Sequence, residues 1–355
     1  MDGPCEVSGW PESCGREVRK GSPGEAGRFS DTRSDRAGER EITVRKQLSI
    51  VLLALLGAAV TPVLAGGGGF YFQADALAMR PTNSSLDYVI LDPDTDLAVE
   101  GSIRAVDPAT ATVPRMEVGM RWSATETISL SWWSYDETER ESLRSGGGLL
   151  WDVLSPPNIS LLGYEGRADA SYKIKSTVVD LLYEREVLTD EEYTAGFSVG
   201  LRYLEYESDF TAGYEGLSRS VTVRIDSDST ATGARAAVYG VLNFGGGRWS
   251  LRGEAAYSLL LGDTDILAQA ASISAFPSIN VTSSEDKTFN TIEGKVTLTG
   301  RLASHVDLRL ALMLARWLDT VESPRFLDDI NQASFDHQTT DAQWAGLSLG
   351  FRLHW

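Results

Sequence analysis

From Gly66 to the C-terminus, apolar and polar residues alternate in segments of about ten residues, set apart by turns rich in Gly, Asp, Ser, Pro and Asn. The last segment is the clearest. Ala345, Leu347, Leu349, Phe351, Leu353 and Trp355 share one face, and Gly346, Ser348, Gly350, Arg352 and His354 share the other. The stretch 193–203 divides in the same way: Ala195, Phe197, Val199 and Leu201 lie between two tyrosines, opposite Thr194, Gly196, Ser198, Gly200 and Arg202. Met116, Val118, Met120 and Trp122 oppose Arg115, Glu117, Gly119 and Arg121, and Leu308, Leu310, Leu312 and Leu314 oppose Asp307, Arg309 and Ala311. An apolar band ending in aromatics, backed by small or charged residues, fits a strand with lipid outside and a polar lumen inside. A soluble barrel would alternate too. The aromatic band ends and the export signal described below favour the membrane.

The pattern predicts an all-β protein, a transmembrane antiparallel up-and-down β-barrel of about ten strands. The strands fall near 70–80, 113–122, 127–135, 170–187, 193–206, 230–243, 248–261, 290–302, 306–318 and 343–355. The connections between them alternate in length: 123–126, 188–192, 244–247 and 303–305 are short, whereas 81–112, 136–169, 207–229, 262–289 and 319–342 are long. Short turns belong to the periplasm and long loops to the exterior. Within 81–112, the runs Leu86 to Leu91 and Leu97 to Val106 would make a further hairpin, with twelve strands as the alternative. Arg219 to Ile225 alternates well enough to prolong a strand beyond the membrane or to form a ribbon in the third long loop.

Ahead of the strands, Arg45 and Lys46 precede the apolar stretch Leu48 to Val60, and Val63-Leu64-Ala65 precede four glycines. This is a cleaved signal peptide, too short for a helix of roughly 20 residues that would stay in the bilayer. Residues 1–43 lack aliphatic periodicity and read as a disordered leader, or as untranslated sequence if synthesis starts at Val44. The expected organisation is therefore leader 1–43, signal peptide 44–65 and barrel 66–355.

Charge sharpens this picture. Residues 1–65 carry nine Lys/Arg and nine Asp/Glu, so the whole net charge of −18 belongs to residues 66–355. So acidic a surface argues against nucleic acid as a partner. The only cysteines, Cys5 and Cys14, precede the cleavage site, which leaves the barrel without disulfide or thiolate-metal chemistry.

With the apolar faces toward lipid, the lumen-lining cations are Arg115, Arg121, Arg202, Arg235, Arg252, Lys295, Arg301, Arg309 and Arg352. Asp75, Glu117, Asp180, Glu184, Glu254, Glu293 and Asp307 oppose them. The lumen is thus nearly balanced and the excess acid sits in the loops. A barrel of about eight strands is just filled by side chains, and an open channel is secure only near sixteen. Ten strands leave a narrow passage at best, with slight anion preference or none.

Catalytic signals are thin. His305 falls in a short turn, and His354 points inward near Arg352 and Ser348. His337 follows Asp336, with Asp328 and Asp341 in the same loop; an Asp–His dyad over a barrel mouth is how an omptin-type protease would look. Neighbouring residues do not face one another, so a solvated charged loop is the simpler reading. Asp92, Asp94 and Asp96 offer oxygens at alternate positions but lack the glycine and distal glutamate of a calcium loop. Gly66 to Gly69 and Gly245 to Gly247 lack the Lys and helix start of a phosphate cradle. No catalytic residue, metal site or cofactor is expected.

Ala74-Asp75-Ala76-Leu77, Arg80-Pro81 and Leu86-Asp87-Tyr88 resemble the opening of the Legionella-type pore-forming major outer-membrane-protein family. Val118-Gly119-Met120-Arg121 and Val199-Gly200-Leu201-Arg202-Tyr203 are similar to later strands of that family, and the chain ends on an aromatic as its members do. The likeness spans most of residues 70–355. It implies a pore-forming barrel of the bacterial outer membrane rather than an enzyme.

The expected function is therefore a narrow pore for small solutes. The alternative is a closed barrel acting as an adhesin or envelope stabiliser through acidic loops, with an omptin-like barrel enzyme third. Expected partners are membrane lipid, lipopolysaccharide and the barrel-assembly machinery, the last through the strand ending at Trp355; the sequence leaves the oligomeric state open.

Overall fold

The computed structural model describes residues 69–82, 86–93, 101–154, 166–216, 220–272, 279–327 and 334–355. The expected leader and signal peptide lie outside the described residues, as do Asp94 and Asp96. Strands β1 (Phe70–Thr82), β2 (Leu86–Asp92), β3 (Ser102–Val106), β4 (Ala111–Arg121), β5 (Glu126–Arg144), β6 (Leu149–Asp152) and β7 (Arg167–Thr189) are followed by β8 (Tyr193–Glu215), β9 (Ser220–Phe244), β10 (Trp249–Ser272), β11 (Ile279–Ala303), β12 (Val306–Leu327) and β13 (Ser334–His354). Ten of them close an antiparallel barrel in the order β1-β13-β12-β11-β10-β9-β8-β7-β5-β4. The seam is made by β1 and β13, where the main chains of Phe70 and Trp355 exchange two hydrogen bonds of 3.1 Å.

The ten-strand expectation holds, and the extra hairpin is real but not part of the barrel wall. β2 pairs with β3 and also with β6 from the next long connection, making a separate three-stranded sheet. Three of the connections expected as long loops, 207–229, 262–289 and 319–342, are largely strand. β8 has 23 residues and β9 has 25, against the roughly 9–11 that cross a bilayer. Much of each hairpin therefore stands outside the membrane, and of the stretch expected to prolong a strand, Arg219 to Ile225, the described part from Ser220 opens β9. Likewise 319–342, expected as a loop, is mostly the ends of β12 and β13, so the backbone of His337 pairs with Pro324 in a ladder rather than lying in a loop.

At the short-turn end, Gly245, Gly246 and Gly247 take φ of 62°, 68° and 77° in succession, a left-handed run that residues with a Cβ resist. Nearby, the Tyr71 ring lies flat over Gly119 on β4, where any Cβ would collide with it. The ring is held by its hydroxyl, which donates to Glu117 Oε1 at 2.8 Å.

The outer surface carries the apolar band. Leu181, Leu201, Val238, Leu261, Ile292, Leu310, Leu312, Leu349 and others present large apolar side chains outward, Leu261 with 66% of its surface exposed. Trp122, Tyr193, Phe244, Trp249 and Trp355 rim it at the short-turn end. A continuous exposed belt of this kind requires lipid.

Beyond the band the alternation inverts, which a simple apolar-out rule misses. On β8 the outward positions pass from Leu201 and Tyr203 to Glu205, Glu207 and Asp209, while the inward positions pass from Ser198 and Arg202 to Leu204, Tyr206, Phe210 and Tyr214. β7 does the same, from Asp180 inward to Val178, Ile174 and Tyr172. Where water replaces lipid outside the wall, the strands follow the rule for soluble sheets and bury their apolar face. The main core is therefore inside the long-hairpin half of the barrel.

Candidate functional site: a vestibule beneath an aromatic plug

Three levels stack along the lumen. At the short-turn mouth a cavity of about 630 Å³ opens inward. Thirteen of the sixteen sequence-predicted lumen residues line it: Arg115, Glu117, Arg121, Asp180, Glu184, Arg235, Arg252, Glu254, Lys295, Arg301, Asp307, Arg309 and Arg352. Arg202 and Glu293 line a small inner void above it, together with Asp180 and Arg235, and Asp75 is buried beside Gln73. Arg121 and Arg301 sit at the mouth, over half exposed, each 3.9 Å from an acid, Glu186 and Asp307 respectively.

The middle level is a network of ion pairs. Arg202, with its side chain 3% exposed, donates Nε to Asp180 Oδ1 at 2.6 Å and Nη2 to Asp180 Oδ2 at 2.8 Å. It also binds Glu293 through Nη1, and through Nη2 at 3.1 Å. Arg235 Nη2 bridges Glu293 (3.3 Å) and Glu254 (3.0 Å), and Arg252 joins Glu254 (2.9 Å) to Glu184 (3.0 Å). The chain runs from β7 through β8, β9 and β10 to β11 and ties the lower lumen of one side together. The bidentate forks of Arg202 on Asp180 and of Arg252 on Glu184 are the geometry that best satisfies buried charge, whereas Arg235 leaves its Nε and Nη1 without hydrogen-bond partners.

Opposite stands a more cationic wall. Arg115, Lys295, Arg309 and Arg352 project from β4, β11, β12 and β13, with Asp75 and Glu117 as the acids of β1 and β4. Arg352 donates to Gln73 at 2.8 Å and reaches Glu117 at 3.4 Å, with its guanidinium 4.3 Å from the Tyr71 ring centre. Asp75 accepts from Gln73 at 2.6 Å.

The third level is aromatic. Trp133, Trp317 and Trp344 meet with ring centres 5.1 to 6.1 Å apart, Tyr135 packs edge-on against Trp344, and Tyr206 against Trp317. Trp317, Trp344, Tyr135 and Tyr206 are at most 1% exposed. Above them the β3-β2-β6 sheet is drawn in, with Tyr88, Val89, Val106 and Leu150 fully buried. The Tyr214 hydroxyl on β8 donates to the Tyr88 carbonyl at 2.6 Å, and Tyr135 donates to the Ala109 carbonyl at 2.8 Å. Together these aromatic rings and the sheet form a plug. Sequence reasoning missed it because its residues were placed in connections or at strand ends. The signal was present as large apolar side chains on the lumen face, Trp133 and Tyr135, or Leu204, Tyr206 and Phe210.

The side chains of His305 and His354 lie at the short-turn mouth. His354 Nε2 lies 3.3 Å from Asp307 Oδ2, and His305 Nδ1 lies 2.9 Å from the His354 carbonyl. The His337 side chain is outside the described residues, and Asp341 pairs instead with Arg316, whose Nε donates at 2.6 Å. Asp92 is buried and accepts from Trp151 Nε1 at 3.2 Å.

A closed antiparallel barrel of ten strands with a lipid-facing belt and aromatic rim is a bacterial outer-membrane β-barrel protein. The family model of the Legionella pneumophila major outer membrane protein precursor matches residues 67–354, and the chain belongs to that family. None of the curated proteins matches the sequence. Among solved structures, the chain is similar to the outer membrane protease OmpT from Escherichia coli, at 10% identity and TM-score 0.43, over 81% of this chain and 96% of that one. It is also similar to the translocator domain of the autotransporter NalP from Neisseria meningitidis (8%, 0.36, 88% and 97%). A third likeness is to a major outer membrane protein from Thermus thermophilus (11%, 0.29, 81% and 100%).

Proposed function

We propose that this barrel serves the outer membrane in a closed form, as an envelope-stabilising protein rather than a standing open channel or an enzyme. The observation that carries this reading is the filling of the lumen at two successive levels, the Arg202 network and the tryptophan–tyrosine plug. The outer wall supplies the working surface. Just beyond the apolar band, Glu207, Asp228 and Asp265 stand in one cross-strand row that begins with Lys175, bonded to Glu207 at 2.9 Å, and Asp263 and Asp286 face each other in the next. Like charges directly opposite repel, and at that height lipopolysaccharide presents phosphates, so divalent cations would bridge the two. Its assembly partner would be the barrel-assembly machinery, acting on the strand that ends at Trp355.

The test is planar-bilayer recording of the purified, folded protein together with lipopolysaccharide co-purification in Mg²⁺ and in chelator. The reading expects no stepwise conductance and chelator-sensitive retention of lipopolysaccharide; steady single-channel steps in the unmodified protein would overturn it. A narrow, gated pore for small solutes is the second reading, favoured by the vestibule of about 630 Å³ that opens from one mouth. That reading expects conductance that rises when the plug is loosened.

A further inference from the structure

The ion-pair network accounts for most carboxylates of the lumen; donors are left over at Nε and Nη1 of Arg235 within it and on the opposite wall. Arg309, 7% exposed, has Nη1 buried with no hydrogen-bond partner, and Arg115 has its buried Nε in the same condition. Lys295 has no carboxylate within salt-bridge distance among the described residues; its cross-strand neighbour Glu254 is turned to Arg235 and Arg252. These three cations line one cavity, together with Arg352, and that cavity opens at the short-turn mouth. Arg352 shares Glu117 with Arg115, and Asp75 is bonded to Gln73. Four cations therefore face Asp75 and Glu117, with Glu254 at one edge and Asp307, which is engaged by Arg301 and His354, at the other. Buried donors without acceptors cost free energy, and clustered cations repel unless an anion lies among them.

We propose that the vestibule holds a small oxyanion of the phosphate class, taken from the periplasmic side and bound among Lys295, Arg309 and Arg115. The anion accepts from Arg309 Nη1 and Arg115 Nε and places negative charge beside the Lys295 ammonium. The plug closes the far side, so the site is reached from one mouth only. The site holds whether or not the barrel conducts.

Phosphate is titrated calorimetrically into the full, folded barrel in non-ionic detergent at low ionic strength. Saturable one-site binding is expected, weakening as sodium chloride is raised, since screening and competing anion act together. Lys295→Met with Arg309→Gln should weaken binding at least tenfold, whereas Asp75→Asn, which removes a facing carboxylate with little change of shape, should tighten it several-fold. Folding of each variant is checked by its heat-modifiable mobility, and the Asp75 variant carries the test should the double variant fail to fold. Absence of saturable phosphate binding by the unmodified barrel, or affinity unchanged in every folded variant, would overturn the proposal. Lipid A phosphates presented in micelles form a second arm: binding of free phosphate with none of the micelle assigns the site to a soluble anion, and preference for the micelle would overturn the periplasmic route.

Discussion

Arg202 on β8 reaches past β9 and β10 to bind Glu293 on β11, while its other edge is forked onto Asp180 of β7. One guanidinium therefore joins strands that are not neighbours, and it does so while almost wholly buried. Arg202→Met leaves Asp180 only the 3.8 Å contact with Arg235 Nε and leaves Glu293 to Arg235 alone. Losing one partner of a buried pair costs about 3–5 kcal/mol, so the urea midpoint of the folded barrel should fall sharply. Replacing Asp180 and Glu293 together with their amides in the Arg202→Met background should restore part of that loss.

Trp317 and Trp344 are the centre of the plug. Trp344→Ala should cost about 3–5 kcal/mol through the cavity it leaves. In a double variant with Trp317→Ala, bilayer recordings should show conductance steps absent from the parent. Unchanged silence in a folded double variant would place the seal at the Arg202 network instead.

The height at which lipid ends is testable by two arginines. Leu310→Arg, in the lipid-facing band, should cost roughly 2–4 kcal/mol. Asp265→Arg, on the outer wall of β10 beyond the band, should leave the folding midpoint close to that of the parent and lower lipopolysaccharide retention in Mg²⁺.

The acidic wall also predicts a pH dependence. Burial raises the carboxyls of Glu205 and Asp209 above the ordinary range; Glu207 adds to the first against the pull of Lys175, and Asp226 adds to the second. A carboxyl with a raised folded pKa binds protons more readily folded than unfolded, so its ionisation penalises the fold at neutral pH. Resistance to heat should therefore increase as pH falls from neutral through these raised values. Glu205→Gln with Asp209→Asn should flatten that rise, as measured by the heat-modifiable fraction across the pH series.

The membrane half of the molecule was legible because its rule is one-sided: lipid-facing Leu308 to Leu314 and Leu347 to Phe351 alternate cleanly against a polar lumen. The same rule put Arg202, Glu293 and the rest of the charged set on the inner face. What alternation could not give was the partition of that set into a network rich in ion pairs and a wall poorer in carboxylates, since this depends on which strands face each other across the bore. Nor could it foresee the plug. Tyr206 and Phe210 alternate as strictly as Leu201 and Val199, but on the opposite face, and that inversion reads as the end of a strand unless water outside the wall is taken into account. The β3-β2-β6 sheet was half visible, as a hairpin; its third strand, Leu149–Asp152, is too short to announce itself.

The inversion of β7 and β8 gives the barrel two solvents. Its lower half is held in shape by hydrocarbon around it, and its upper half by water excluded from within. Melting the plug exposes apolar surface to water and so carries a large positive heat-capacity change, whereas loosening the lipid-girdled half does not. Cooling below the temperature of maximum stability should therefore weaken the outer end selectively, making temperature, and not only ligand or voltage, a handle on which end of the wall lets go first.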